Sequence, residues 1–400
     1  MNSVAVTGMG IVSAIGWSPE ETQAALDAER SGLGPLTLFP SVQDLDSPVG
    51  EVKGDPALRS GLDSGGRTEH LAVWAARQAF ENAGLSTCPA PLRQAAGLIL
   101  GTCTAGTGDT EAFLEQALHN RDADPRRLDR NGCACATHAV ARPLGLHGPR
   151  ATVSTSCTSG AQAILLARDL IHEGQANIML AGGADALTRL TLSGFASLFV
   201  MSSENCRPFD AERKGMNLGE GAAFLVLESV EHARKRGAPI QAYLVGAAST
   251  CDAHHRTAPP PDGEGIRRAM LDAIEDAGIR PRDIDYINAH GTGTRDNDPA
   301  EGRAIAEVFG DQVPSVSSTK GFFGHPLAAA GAIEAVVAIL ALRHNKVPAN
   351  IGFTTQSADT PVRVTSHPIT KKIGVALSNS AGFGGTNCCL LFENASQRNT

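Results

Sequence analysis

Short apolar runs alternate with segments rich in small helix-forming residues. Val4-Ala5-Val6-Thr7-Gly8 predicts a short strand that Gly8-Met9-Gly10 turns. Residues 68–83 predict a helix, with Gly84 as its C-cap. Residues 96–100, 178–181 and 222–227 are continuous apolar strands. Strands of this kind between helices predict a mostly parallel sheet covered on both faces. Residues 229–239 carry Glu, His, Arg and Lys and read as a surface crossover.

After that crossover the pattern restarts. A helix predicted over 265–277 runs into Glu275-Asp276-Ala277-Gly278-Ile279, as the earlier helix runs into Glu81-Asn82-Ala83-Gly84-Leu85. Each leads through a polar link into an apolar strand, at 96–100 and 286–289. The turn at Cys157 with its long helix has a counterpart in the turn at 318–326 with a helix over 328–343. A duplicated α/β chain is expected, with halves 1–240 and 241–400.

Composition narrows the function. A chain of 400 residues exceeds one simple core. A net charge of −8 argues against a general binder of nucleic acid or anionic membrane. The longest apolar segment, 328–342, is interrupted by Glu334 and reads as too short to cross a bilayer. The first residues lack a basic region followed by an apolar stretch and a cleavage site. Nine cysteines without regular spacing suggest free thiols in a reducing compartment, so a cytoplasmic location is expected. Cys133-x-Cys135 with His138 lacks a second ligand pair, and no metal is expected there.

Four turns carry candidate chemistry. In Val153-Ser154-Thr155-Ser156-Cys157-Thr158-Ser159-Gly160 a cysteine sits where a strand gives way to a helix. Helix N–H groups there are expected to favour its thiolate. Asn288-Ala289-His290-Gly291-Thr292-Gly293-Thr294 puts a histidine at the end of a buried strand. Ser318-Thr319-Lys320-Gly321-Phe322-Phe323-Gly324-His325-Pro326 adds a lysine and a second histidine. Ser378-Asn379-Ser380-Ala381-Gly382-Phe383-Gly384-Gly385-Thr386-Asn387 frees backbone N–H groups to face a ligand. Singly, each has an ordinary structural reading. Together, a thiol, two imidazoles and a donor-rich turn suit acyl transfer through a thioester.

These motifs, in this order, resemble the β-ketoacyl-[acyl-carrier-protein] synthases, synthase II above all. The likeness runs from Val4 to the Gly-Phe-Gly-Gly-Thr-Asn turn and takes in Arg207-Pro208-Phe209-Asp210. It implies a thiolase-like fold, two similar α/β halves in α-β-α-β-α layers, assembled as a dimer. It implies decarboxylating Claisen condensation, with acyl carrier protein delivering both acyl and malonyl groups and no cofactor. By motif, Cys157 resembles the nucleophile. His290 and His325 resemble the pair that stabilises the malonyl-derived enolate. Lys320 resembles the organising lysine, with Glu334 as its partner. The N–H groups of Cys157 and Phe383 resemble the oxyanion hole, with Phe383 as a gate. Arg207 by motif, and Arg126 and Arg127 by charge, are expected to dock the acidic carrier.

Ser156 and Thr158 flank the cysteine where alanine is more usual, and Phe322 and Phe323 are expected to narrow or redirect the channel. These features are similar to ketosynthases of specialised type II systems, including aryl-polyene and polyketide pathways. There the second subunit is a chain-length factor instead of a second copy. Two alternatives stay open. A coenzyme A thiolase would need another acid/base cysteine near the C-terminal turn, where this chain has Phe383. A non-catalytic partner subunit would lack the cysteine.

Overall fold

The computed structural model describes residues 3–40, 46–119 and 122–398. Ten strands build the central sheet: β1 (Val4–Val12), β2 (Gly97–Gly101), β3 (Arg150–Val153), β4 (Ile178–Asp185), β5 (Gly221–Ser229), β6 (Ala242–Cys251), β7 (Tyr286–Asn288), β8 (Ser315–Ser317), β9 (Val375–Gly382) and β10 (Thr386–Asn394). Their order is β3-β2-β4-β5-β1-β6-β10-β9-β7-β8. When β1–β5 are matched to β6–β10 in turn, this order reads the same from either end. The chain is therefore two copies of one strand pattern, joined where Val4–Val6 pair with Ala242–Leu244.

The sheet is mixed, with more antiparallel than parallel pairs, in contrast to the mostly parallel sheet expected. The outer pairs β2–β3, β2–β4, β9–β7 and β7–β8 are parallel. The inner pairs β4–β5, β1–β5, β1–β6, β6–β10 and β9–β10 are antiparallel. A continuous apolar run shows only that both faces are buried; it does not show strand direction.

Five helices pack on this sheet or hold the site: α1 (Arg67–Asn82), α2 (Ser159–His172), α3 (Glu264–Ala277), α4 (Asn297–Phe309) and α5 (Ala330–His344). Helix α1 covers the outer face of the first half and α3 that of the second. Helices α2 and α5 lie between the halves, and α5 touches strands of both. Residues 330–342 of α5 are all buried, as befits a helix apolar on every side. With the preceding turn, Leu327–His344 forms an 18-residue apolar helix long enough to cross a membrane, and it is 89% buried inside the protein. The expected shortness was wrong; burial makes it a core helix.

The glycine pattern also reads differently. Gly8, Met9 and Gly10 lie within β1 and do not turn it. A Cβ on Gly8 would stand 2.2 Å from the Ala79 carbonyl oxygen of α1. Gly246 of β6 has the same relation to Ala273 of α3, at 2.3 Å. Each glycine lets a helix lie directly on its strand, and the two contacts correspond under the duplication. Phe322 and Phe323 are fully buried in the main core and do not line the catalytic cleft described below, so the expected narrowing of a channel is not their role.

Candidate active site

Cys157 follows β3 and stands just before α2, whose N-cap is Thr158. The turn is bent at Ser156, a non-glycine residue with φ +56°. Side chains stitch it together. Ser159 Oγ accepts from Thr155 N–H at 2.9 Å and donates to the Ser156 carbonyl at 2.6 Å. Thr158 Oγ1 donates to the Thr155 carbonyl at 2.7 Å. The hydroxyl of Thr386, at the start of β10, donates to the same carbonyl at 3.0 Å, tying the cysteine turn to the glycine-rich turn. The fasteners of this turn are the hydroxyls of Thr158, Ser159 and Thr386; of the two unusual flanks, Thr158 contributes its side chain and Ser156 its carbonyl.

Cys157 is 6% exposed, and the Phe383 N–H points at its sulfur. Burial pushes the thiol up to about 12, while the charge of Lys320 and the Phe383 N–H pull it down. Burial therefore works against the thiolate expected at this helix end. Desolvation of an anion in a closed site outweighs the favourable helix end, because Cys157 lies outside the first turn.

His290 ends the β7 segment. Glu301 of α4 accepts the His290 and Gly291 N–H groups, both at 2.8 Å. His325 is held through its backbone: its N–H donates to the Asn217 carbonyl at 2.7 Å and its carbonyl accepts from Gly219 N–H at 2.9 Å. The two rings meet edge to face with centroids 5.3 Å apart. Both imidazoles are driven well below the ordinary histidine range, first by burial and then by Lys320, and His290 also by His325. Both are neutral at neutral pH.

Lys320 is completely buried, and its Nζ reaches three acceptors. They are Glu334 Oε1, the His290 carbonyl, and His290 Nδ1 at 3.3 Å. An ammonium has three donors and no acceptor. His290 Nδ1 must therefore accept, which leaves the ring proton on Nε2. Burial lifts Glu334 to about 7 against the pull of Lys320.

Cys157, His290, His325 and Phe383 line one cleft with an empty volume of 610 Å³. Its wall includes Phe195, whose ring stacks on Phe383 with centroids 5.5 Å apart. Thr257, Ala258, Thr292 and Thr294 line it as well. Arg126, Arg127 and Arg207 are not among the lining residues. Arg126 pairs with Asp124 at 2.9 Å, Arg127 with Asp109 at 3.2 Å and Arg207 with Glu204 at 3.7 Å.

The sequence reading missed two supporting carboxylates. One is Glu301. The other is Asp185, fully buried at the end of β4. Asp185 accepts from Thr102 Oγ1, Cys103 N–H, Thr104 N–H, Thr104 Oγ1 and Ala328 N–H, all within 2.7–3.0 Å. It joins β2, β4 and the entry to α5 directly behind the site. A lone carboxylate closing an otherwise apolar strand, Ile178-Met179-Leu180-Ala181-Gly182-Gly183-Ala184-Asp185, was the available signal.

Two duplicated α/β halves around buried central helices, with a thiol and two imidazoles in one cleft, define an acyltransferase of thiolase-like fold. The chain belongs to the beta-ketoacyl synthase family: residues 1–233 match its N-terminal domain and residues 241–354 its C-terminal domain. It is 38% identical over 406 residues to a 3-oxoacyl-[acyl-carrier-protein] synthase 2 of Coxiella burnetii, covering 98% of each chain. It is 38% identical over 402 residues to nodulation protein E of Rhizobium meliloti, again covering 98% of each. Among solved structures, the ishigamide ketosynthase/chain length factor superposes with a TM-score of 0.92 at 34% identity, covering 98% of this chain and 99% of that one. A ketosynthase, ApeO, in complex with its chain length factor ApeC from Xenorhabdus doucetiae gives 0.87 at 29% identity, covering 98% of both.

Proposed function

We propose that the protein is a β-ketoacyl-[acyl-carrier-protein] synthase that lengthens a Cys157-bound acyl chain by two carbons. The observation that carries this reading is the single cleft shared by Cys157, His290, His325 and the Phe383 turn.

In the first half-reaction the Cys157 sulfur attacks the carbonyl carbon of an acyl-carrier thioester. The carrier C–S bond breaks, and the thiol proton passes to the departing carrier sulfur. A neutral imidazole suits that relay, since it can take and return a proton. The N–H groups of Cys157 and Phe383 receive the tetrahedral oxyanion. In the second half-reaction a malonyl thioester loses carbon dioxide. The electron pair of the broken C–C bond becomes an enolate, whose oxygen is held by N–H groups of His290 and His325. The enolate carbon attacks the Cys157 thioester, the C–S bond breaks, and the departing sulfur takes up a proton from solvent, the one proton that the overall condensation consumes. Lys320, braced by Glu334, positions His290 with its Nε2–H free for the enolate. Phe383 gates the cleft.

The nucleophile belongs to the half 1–240 and the histidines to the half 241–400. Arg126, Arg127 and Arg207 dock the acidic carrier, each exchanging its present carboxylate partner for one on the carrier. The second subunit is another copy or a chain-length-factor-like protein, in a cytoplasmic type II system that makes fatty acids, polyketides or aryl polyenes. The thiolase alternative is weakened by Cys388 and Cys389, which are buried in β10 while Phe383 occupies the turn.

Mass spectrometry of the protein with a panel of acyl carriers and malonyl carrier tests the reading. Acylation mapped to Cys157, followed by a β-ketoacyl product two carbons longer, is expected. A protein that is never acylated, alone or with its second subunit, sinks the proposal.

A further inference from the structure

Many arginines of the surface are already paired. Arg126, Arg127 and Arg130 pair with Asp124 and Asp109; Arg207 and Lys214 share Glu204; Arg267 and Arg268 share Glu264. Two others are different. Arg256 and Arg295 are exposed, and neither makes an ion pair with a described residue. Both border the cleft. Arg256 precedes Thr257 and Ala258, and Arg295 stands between Thr294 and Asp296, all four of which line it. The Arg256 carbonyl accepts from Gly384 N–H at 2.8 Å, which pins its loop to the turn carrying Phe383. His254 and His255 are exposed beside Arg256. Asp252, also on the wall, is occupied, since it accepts from Asn387 Nδ2 at 2.7 Å. Asp296 is the carboxylate that lowers the positive potential on the Arg295 side.

We infer that Arg256 and Arg295 form a clamp for the phosphodiester that joins the carrier's pantetheine arm to the carrier. This rests on the condensing reading and names how its substrate is held. A thioester arm that reaches buried Cys157 must thread the cleft and leave its one fixed anion at the mouth. A guanidinium with no internal partner is suited to receive it, because it can make paired charge-assisted hydrogen bonds to phosphate oxygens. Thr257, Thr292 and Thr294 line the path between. In a chain of net charge −8, two arginines without an ion-pair partner among the described residues, each next to residues that line the cleft, attract an anion to that place, more strongly on the Arg256 side than beside Asp296.

The test is equilibrium binding of 4′-phosphopantetheine and of pantetheine, measured by calorimetry on the wild type, Arg256→Gln, Arg295→Gln and the double variant. No turnover is needed, so failure of the condensing chemistry leaves the result readable. The wild type should hold phosphopantetheine tighter than pantetheine. Each substitution should cost about 10-fold on the phosphate-bearing probe and leave pantetheine binding unchanged. The double variant should treat the two probes alike. Equal affinity of both probes for the wild type overturns the clamp, as does a preference that survives in the double variant. Carrier protein stripped of its arm separates the other anion source. If its affinity falls on substitution while phosphopantetheine gains nothing over pantetheine, the arginines read carrier carboxylates and the inference fails.

Discussion

Lys320 Nζ lies 3.3 Å from Nδ1 of His290, with the same ammonium also bonded to the His290 carbonyl and to Glu334. One buried cation thus sets the tautomer of the ring and opposes its protonation. The sign follows directly: a positive neighbour lowers an imidazole, so removing it raises the imidazole.

Lys320→Met should therefore shift the acid side of the Cys157-acylation profile, the step that uses a neutral imidazole as proton relay. Acylation of Cys157 in the wild type should show no imidazole loss as pH falls through 6.5, because both rings stay neutral there. The variant should lose activity nearer the ordinary histidine range, and its kcat should drop about 100-fold because His290 loses its brace. Glu334 is itself lifted to about 7. A wild-type limb near 7 that disappears in Glu334→Gln belongs to that carboxyl. A profile that Lys320→Met leaves in place contradicts the assigned electrostatics.

Alkylation of Cys157 by iodoacetamide should rise steadily with pH, without a plateau below 11, because burial lifts the thiol to about 12. Cys133 and Cys251 are exposed and will also react, so the rate must be read on the Cys157 peptide. A plateau near 7 would mean that the helix end does hold a thiolate after all.

Asp185→Ala should destabilise the fold by about 3 kcal/mol or more, since it strands donors from two segments, residues 102–104 and Ala328. Asp185→Asn should recover only part of the loss, because one oxygen becomes a donor. Urea unfolding of both variants gives the comparison. Equal stability of Asp185→Ala and the wild type would show that the hub is dispensable.

Gly8→Ala and Gly246→Ala should each cost about 1–3 kcal/mol, because each Cβ collides with a helix carbonyl. The double variant should lose the sum to within about 0.5 kcal/mol if the two contacts are independent. A shortfall well beyond that would reveal that the halves relax together. Thermal and urea melts decide between the two.

The sequence by itself determined the pieces that are local. The cysteine turn, the two histidine loops and the glycine-rich turn are each contiguous, so their chemistry can be read without knowing where they lie. The internal repeat was legible for the same reason: the Ala83-Gly84 and Ala277-Gly278 endings mark equivalent helices packed on equivalent strands. Strand direction needed the tertiary structure, since apolar runs look alike in parallel and antiparallel pairs. So did the place of Phe322 and Phe323, because which face of a short helical turn meets the core depends on distant neighbours. The supporting roles of Asp185 and Glu301 appear only when three separated segments converge on one carboxylate or a helix returns to a strand end. The charge state of Cys157 is the sharpest case. Its proton is governed by how completely remote parts of the chain exclude water, and desolvation is a property of the packed whole that no short motif contains.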